Sequence, residues 1–183
     1  DAGLIDYDHN INDMTFSTNG GQKYEMDNGA FHPTPDNSLD CGRSGNRWDD
    51  IRATNGNIVT SDRNEKNSIT ASDLGLDFIN KLSPVSYKWN KSKEGAGKRT
   101  HYGLIAQDIE TLLGTIGKSA TDFAGFCKDQ ITTETVFDED GHADDVPLET
   151  PFDRYSLRYT EFISPIIKAI QELSAKVSAL EAA

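Results

Sequence analysis

The chain has 183 residues, a hydrophobic fraction of 36% and a formal net charge of −12 from 18 basic and 30 acidic side chains. This length allows one domain with its own core, or one domain and an appendage. The acidic balance excludes the basic face that binds nucleic-acid phosphates, so we expect no nucleic-acid partner. No apolar run approaches the ~18 residues of a membrane span and no signal peptide opens the chain, so we expect no membrane partner.

The cysteine and histidine counts argue against a disulfide scaffold or a metal centre. Cys41 and Cys127 are too few for the framework of a small secreted domain, so we predict two reduced thiols in a cytosolic protein. Because the sequence begins at Asp1 and not at Met, we expect it to be a processed piece of a longer protein. We expect no metal and no cofactor, because no metal-ligand spacing links the histidines, which are His9, His32, His101 and His142.

Residues 1–60 have the composition of a β-rich segment. They hold ten acidic residues against four basic ones, and Asn-Gly pairs recur at 19–20, 28–29 and 55–56. Asn-Gly turns between short apolar pieces, such as 14–16 and 58–59, are typical of β-hairpins. The pattern predicts an all-β part that ends near residue 60.

The middle of the chain changes to short helices and strands. Ser72 is a candidate N-cap for a first helix, which Ser83-Pro84 would end because a residue before proline avoids the α region. The alternation at 85–89 and the apolar run at 102–105 predict two strands, separated by a polar loop at 90–99. The predicted apolar faces of the first helix and of the helix after residue 105 are Leu74, Phe78, Ile79 and Leu82, and Ile105, Ile109, Leu112 and Leu113.

The next stretch is acidic and has little helical pattern. Residues 131–137 have strong β propensity and predict a strand. Residues 138–145 predict an exposed loop. An EF-hand is rejected there, because with Gly141 at the glycine position the first ligand position would hold Val136.

A heptad pattern predicts a long C-terminal helix at about 160–182. Positions a and d are filled by Ile163, Ile166, Ile170, Leu173, Val177 and Leu180, which we call the seam. Isoleucine at both kinds of position favours trimers over dimers. A helix packed on its own domain stays the alternative, since under three heptads are marginal in isolation. If the helix begins near Ser164, Pro165 is a tolerated first-turn residue.

The junction between the β-rich and helical parts holds a serine and a lysine five residues apart. A serine hydroxyl becomes nucleophilic when a base takes its proton, and lysine can be that base when desolvation lowers its pKa. Ser61 and Lys66 are close enough in sequence to meet across a turn. By spacing alone, a solvated polar linker is the more common explanation.

Read together, several segments resemble the endosialidase-type intramolecular chaperone at the C-terminus of bacteriophage tail fibres and tailspikes. The resemblance covers most of 36–110 and 155–183. The order of the segments along the chain is shared with the family, and this order is more specific than any one motif. Its segments are Arg47-Trp48, 55–59, Ser61-Asp62 with Lys66, 82–89, 103–110 and 166–173.

The resemblance implies an α+β fold of mixed strands and short helices, with a trimeric coiled coil at its end. Residues 1–60 would be the end of a β-rich tail fibre, and 61–183 a chaperone that drives trimerisation and then cuts itself off. The family's nucleophile maps to Ser61, its general base to Lys66 and its cleaved bond to Thr60–Ser61. His101 and Gln107 would support the site, and the dyad would assemble only in the folded trimer.

One departure from the family pattern concerns an arginine. The usual order is Ser-Asp-x-Arg-x-Lys, but Asn64 occupies the arginine place here and the arginine is Arg63. The serine and lysine keep their spacing, whereas the role of the family arginine is open.

Partners and location follow from the same resemblance. We expect a homotrimer, attachment to the upstream fibre of the same chain, assembly in the host cytoplasm, and a fibre part that enters the virion tail. The alternative is a non-catalytic trimerisation module attached to a fibre tip that binds host cell-surface polysaccharide. That alternative would use the aromatic side chains of the first part, which are Tyr7, Phe16, Tyr24, Phe31 and Trp48.

Overall fold

A computed structural model describes residues 3–44, 46–48, 51–54, 61–90, 99–139 and 143–183. The chain divides into two compact units, Asp1–Ile51 and Arg52–Ala183. The predicted boundary after residue 60 stays a prediction, because 55–60 lie outside the described residues. The strands are β1 (Leu4–Asp8), β2 (Asp13–Thr18), β3 (Gly21–Met26), β4 (Phe31–Pro33), β5 (Val85–Tyr87), β6 (His101–Gly103), β7 (Phe126–Phe137) and β8 (Ala143–Leu157). The α-helices are α1 (Leu76–Asn80), α2 (Ala106–Thr115) and α3 (Ile163–Glu181).

The first unit is an antiparallel sheet in the order β1-β2-β3-β4. Asn19 and Gly20 join β2 to β3 with φ of 51° and 71°, the left-handed conformation that two-residue hairpin turns require. In the turn before β4, the N–H groups of Gly29 and Ala30 donate to Asp27 Oδ1 at 2.7 and 2.6 Å. The hairpins predicted at 19–20 and 28–29 are confirmed, and the turn at 55–56 lies outside the described residues.

The sheet of the first unit has no buried side chain among the residues described there. Leu4, Ile5 and Phe31 are 58%, 67% and 59% exposed. A β-sheet with apolar residues on its surface normally buries one face against another layer. The described part of this unit therefore leaves apolar side chains uncovered.

The second unit has a buried core between α1, α2 and the start of α3. Ile109 and Leu113 are 2% and 1% exposed, as the period of α2 predicted. The rings of Phe78 and Phe162 each pack edge-on against Phe123, with centroids 5.6 and 5.0 Å away. The buried cluster consists of Leu74, Phe78, Ile109, Leu112, Leu113, Phe123, Phe126 and Phe162.

One predicted helix start and one predicted core residue are wrong. Ser72 is not the N-cap of α1, because its hydroxyl donates to the Leu74 carbonyl at 3.0 Å and the helix begins at Leu76 after Gly75. Ile105 is the N-cap of α2 and is 38% exposed, so it does not belong to the buried face. At the start of α1, the Leu76 N–H donates to Glu172 Oε2, so a distant residue and not Ser72 supplies the acceptor there.

The long hairpin of β7 and β8 corrects the prediction of an exposed loop at 138–145. The predicted strand at 131–137 is confirmed within β7, but Asp144 and Asp145 are strand residues that pair with Val136 and Thr135. Residues 140–142 lie outside the described part of the chain. Strand β8 was not predicted because its sequence is acidic and because Pro147 and Pro151 disfavour a strand.

Helix α3 confirms the predicted C-terminal helix and leaves its seam uncovered. Pro165 is the third helical residue, not the first, but still lies in the first turn, where an N–H has no helical partner. Pro165 and Ala169 are buried, so a different face packs on the domain. The exposed fractions along the seam are 55% for Ile163, 43% for Ile166, 61% for Ile170, 51% for Leu173, 45% for Val177 and 78% for Leu180.

These elements confirm a fold of mixed strands and helices with a C-terminal helix. No helix within the described ranges is long and apolar enough to cross a membrane.

Candidate functional site

The junction segment forms a tight turn that is built from its own side chains. Residues Arg63–Glu65 make one turn of 3₁₀ helix. Asp62 caps it, because the Asn64 N–H donates to Asp62 Oδ1 at 2.8 Å. The Lys66 N–H donates to the Arg63 carbonyl at 3.2 Å and closes the turn. The turn brings the two ends of the Ser61–Lys66 segment together.

Ser61 and Lys66 are in direct contact. Lys66 Nζ donates to Ser61 Oγ at 2.6 Å, and both residues are exposed. The spacing of five residues therefore brings the Ser61 hydroxyl and the Lys66 amine within hydrogen-bond distance. The contact lies within one chain, and the expectation that the dyad is assembled only in the folded trimer stays a prediction.

Ser61 has a backbone conformation that sets it apart from the other non-glycine residues with positive φ in the described part of the chain. Its φ is +107°, whereas the other positive-φ residues that are not glycine lie between 51° and 60°. The tolerated left-handed region centres near +57°, so Ser61 lies outside it. Such conformations cost about 1–3 kcal/mol and persist only where the surrounding structure imposes them.

The sequence motif contains Asp62 but does not predict a role for it. Its role follows from a known signal, because an Asp side chain often accepts from the backbone N–H two residues later. Asp62 and Asn64 have this spacing and this bond. The structure thus adds Asp62 to the site as the residue that builds the turn.

The other predicted site residues are not joined to this pair. The His101 ring stacks on Tyr87 at 5.6 Å between centroids and lies 6.1 Å from the Trp89 ring. Gln107 is an exposed residue in the first turn of α2, and its carbonyl accepts from the Thr111 hydroxyl. Within the described residues, no hydrogen bond joins His101 or Gln107 to Ser61 or Lys66, so their supporting role stays a prediction. Thr60, on the other side of the predicted bond, lies outside the described residues.

Three of the aromatic residues considered for sugar binding pack on one another. Tyr24 stacks on Phe31 at 5.3 Å, and Phe16 meets Phe31 edge-on at 6.1 Å. This arrangement is typical of aromatic residues that stabilise a sheet across neighbouring strands. Tyr7 and Trp48 are 42% and 65% exposed.

The chemistry available at the junction is that of a nucleophile beside a base. An amine within hydrogen-bond distance of a serine hydroxyl can take its proton once the amine is neutral. Desolvation favours the neutral amine, and both groups are exposed in one chain. The arrangement therefore places a hydroxyl beside an amine that would become a base on desolvation.

Comparison with known proteins identifies the same region. Residues 61–118 match the Peptidase_S74 family, described as chaperone of endosialidase. The side tail fiber protein pb1 of Escherichia phage T5 is 28% identical over 164 residues, which are 84% of this chain and 12% of that protein. The capsule K3-specific depolymerase 1 of Klebsiella phage KP32 is 36% identical over 94 residues, which are 50% of this chain and 11% of that protein. The chain thus spans about one eighth of the length of either relative.

A solved structure has the same fold. The carboxy-terminal domain of the bacteriophage T5 L-shaped tail fibre, with its intra-molecular chaperone domain, aligns with a TM-score of 0.68. The alignment covers 93% of this chain and 44% of that one, at 24% identity. Residues 61–118, beginning at Ser61, are thus similar to the chaperone-of-endosialidase family, and most of the chain is similar to the end of the T5 side tail fibre.

Proposed function

We propose that residues 61–183 are an intramolecular chaperone that drives trimerisation and folding of an upstream tail fibre and then releases itself. Release is autoproteolysis at Thr60–Ser61, with Ser61 as nucleophile and Lys66 as general base. The observation that carries the proposal is the 2.6 Å contact between Lys66 Nζ and Ser61 Oγ. The family match supports it, because its first residue is Ser61.

The reaction is one intramolecular turnover. Ser61 Oγ attacks the carbonyl carbon of Thr60, and Lys66 Nζ takes the hydroxyl proton. The peptide C–N bond breaks and Lys66 returns the proton to the Ser61 nitrogen, which leaves an ester between the Thr60 acyl group and Ser61 Oγ. Water then hydrolyses the ester to a Thr60 carboxylate and a free Ser61 hydroxyl. Because the substrate belongs to the same chain, proximity replaces a substrate pocket.

The backbone of Ser61 favours this reaction. The dihedral φ of Ser61 is defined across the Thr60–Ser61 peptide bond, and it is +107°. Breaking that bond removes the strained dihedral itself. The strain is therefore present in the reactant and absent from the product, so its loss favours cleavage over religation.

The surface of the chain supports a trimer. The seam of α3 is exposed along its whole length, with Ile170 61% and Leu180 78% exposed. Exposed a and d positions in water are stabilised when a second and third helix cover them. The first unit, which has no buried side chain among its described residues, gains a core in the same way.

Assembly also supplies what the dyad lacks. Lys66 is exposed in one chain, whereas desolvation favours the neutral form of an amine. Partner chains that cover the junction would desolvate Lys66 and make it a base. Cleavage would then follow assembly.

The two products have different destinations in this proposal. The part before Ser61 stays as the end of a tail fibre in the virion, and the chaperone acts in the host cytoplasm during assembly. Exposed aromatic side chains such as Trp48, 65% exposed, are the candidates for contact with host polysaccharide.

Purified wild type and Ser61→Ala test the proposal on a denaturing gel. Wild type should give fragments of 60 and 123 residues, and Ser61→Ala one band of 183. Cleavage of Ser61→Ala at the same bond would overturn the dyad. A single wild-type band that persists in the assembled trimer would favour the non-catalytic trimerisation module.

A further inference from the structure

Glu172 links the C-terminal helix α3 to α1 within the second unit. The Leu76 N–H, at the start of α1, donates to Glu172 Oε2 at 2.8 Å across 96 residues of sequence. The N-cap residue Gly75 has no side chain that could take this place. One of the unpaired N–H groups of α1 is thus satisfied by a residue of α3.

The backbone of Gly75 is shaped to admit this carboxylate. A Cβ at position 75 would lie 2.6 Å from Glu172 Oε2 and 2.8 Å from Oε1. Contacts that short force one of the partners to move. The link therefore depends on the pair, a glycine on one element and a glutamate on the other.

Both carboxylate oxygens of Glu172 have partners. Lys168 Nζ lies 3.3 Å from Oε1, while Oε2 accepts from Leu76. The Leu76 bond, with Lys168 helping, holds the pKa of Glu172 below its ordinary range. Glu172 is half-buried beside Pro165 and Ala169, on the face of α3 that packs on the domain.

This face fixes how α3 is rotated about its own axis. Residues 165, 169 and 172 follow helical spacing and face the domain, and the exposed seam occupies another side of the helix. A turn of α3 about its axis would break the bond to Leu76 and redirect the seam. The contact thus determines which side of α3 is offered to other chains.

We propose that Glu172 is a positioning residue for assembly, which locks α3 to α1 so that the seams of three chains face one another. The inference rests on the trimer proposed above. Each chain contributes one such contact, so the effects of its loss multiply in the association constant. If each loss weakens association about tenfold, the constant falls by about 10³, and the concentration at half-assembly rises about 30-fold.

The test uses the full chain with Ser61→Ala, so that cleavage does not change the species present. Sedimentation over a range of concentrations gives the half-assembly concentration for Glu172→Ala, Glu172→Gln and Gly75→Ala. Glu172→Gln keeps an oxygen acceptor for Leu76 and should restore most of the loss. Gln171→Ala, an exposed neighbour on α3, is the matched control and should assemble like the parent.

The double variant Gly75→Ala with Glu172→Ala distinguishes the loss of this contact from a general loss of stability. Because a Cβ at 75 meets the Glu172 carboxylate, Gly75→Ala should weaken assembly in the parent and have little further effect once Glu172 is alanine. Equal effects of Gly75→Ala in both backgrounds, or an unchanged half-assembly concentration in Glu172→Ala, would overturn the inference. A parent chain that stays monomeric at all concentrations would overturn the trimer itself, and this inference with it.

Discussion

Lys66 Nζ lies 2.6 Å from Ser61 Oγ, at the end of a turn that Asp62 caps. The relationship is local, because all the residues that create it lie within six consecutive positions. None of these six residues belongs to the buried cluster of the second unit. What the rest of the molecule adds, in our proposal, is timing through assembly.

The base function of Lys66 is tested by a variant that keeps its charge. Lys66→Arg should cut at least ~100-fold more slowly, because a guanidinium stays protonated and cannot accept the serine proton. A time course on a denaturing gel measures the rate, and Lys81→Arg is the control at an exposed lysine of α1's C-terminus. Wild-type speed in Lys66→Arg would leave Lys66 without a role as base.

The turn that joins the pair should depend on the cap of Asp62. Asp62→Ala removes the acceptor for the Asn64 N–H, and caps contribute about 0.5–2 kcal/mol, so we expect cleavage about tenfold slower. Asp62→Asn keeps an acceptor oxygen and should cut at nearly the wild-type rate. If the alanine and asparagine variants cut equally fast, the cap is not what positions the pair.

The strain at Ser61 predicts an unusual order of stability in chains that cannot cleave. Glycine adopts positive φ without penalty, so Ser61→Gly should be more stable than Ser61→Ala by about 1 kcal/mol. Urea unfolding of the two variants measures the difference. Thr70→Gly and Thr70→Ala are the control variants at an exposed position. Glycine should have no advantage there, because alanine restricts the unfolded chain more. Alanine equal to or better than glycine at 61 would show that the +107° conformation carries no strain.

The seam predicts assembly through one face of α3. Ile170→Asp places a charge at an exposed seam position and should abolish trimers in sedimentation or light scattering. Gln171→Asp adds the same charge one residue away, off the seam, and should leave trimers intact. Trimers retained in Ile170→Asp would mean that the seam is not the trimer interface.

Acid should destabilise the second unit by protonating Asp73. Lys118 Nζ donates to Asp73 Oδ2 at 2.6 Å and lowers the pKa of Asp73 from its ordinary value of 3.8. A lowered folded-state pKa means that the bond stabilises the fold fully above about pH 4 and ceases to do so as the pH falls through the lowered value. The Tm of wild type should exceed that of Asp73→Asn near neutral pH, and the two should converge at about pH 2. A constant gap between them would contradict this.

Local patterns predicted much of this structure because their causes are local. The Asn-Gly turn at 19–20, the buried face of α2 and the seam of α3 each follow from the period or the backbone preference of adjacent residues. The meeting of Ser61 and Lys66 belongs to the same class, since a capped turn separates them.

The features that the sequence did not reveal depend on distant partners. The start of α1 is set by Glu172, 96 residues beyond Leu76, so the local candidate Ser72 was wrong. Strand β8 exists because β7 pairs with it, against the preference of Pro147 and of its acidic residues. No pattern within either segment encodes such a contact.

Intact mass measurement of the purified wild-type chain tests the central claim most directly. The account predicts two species, residues 1–60 with a C-terminal carboxylate on Thr60 and residues 61–183 with a free amine on Ser61, which accumulate in the assembled protein. A chain of unchanged mass in the assembled trimer, or a cut at any other bond, would contradict self-release by Ser61 and Lys66.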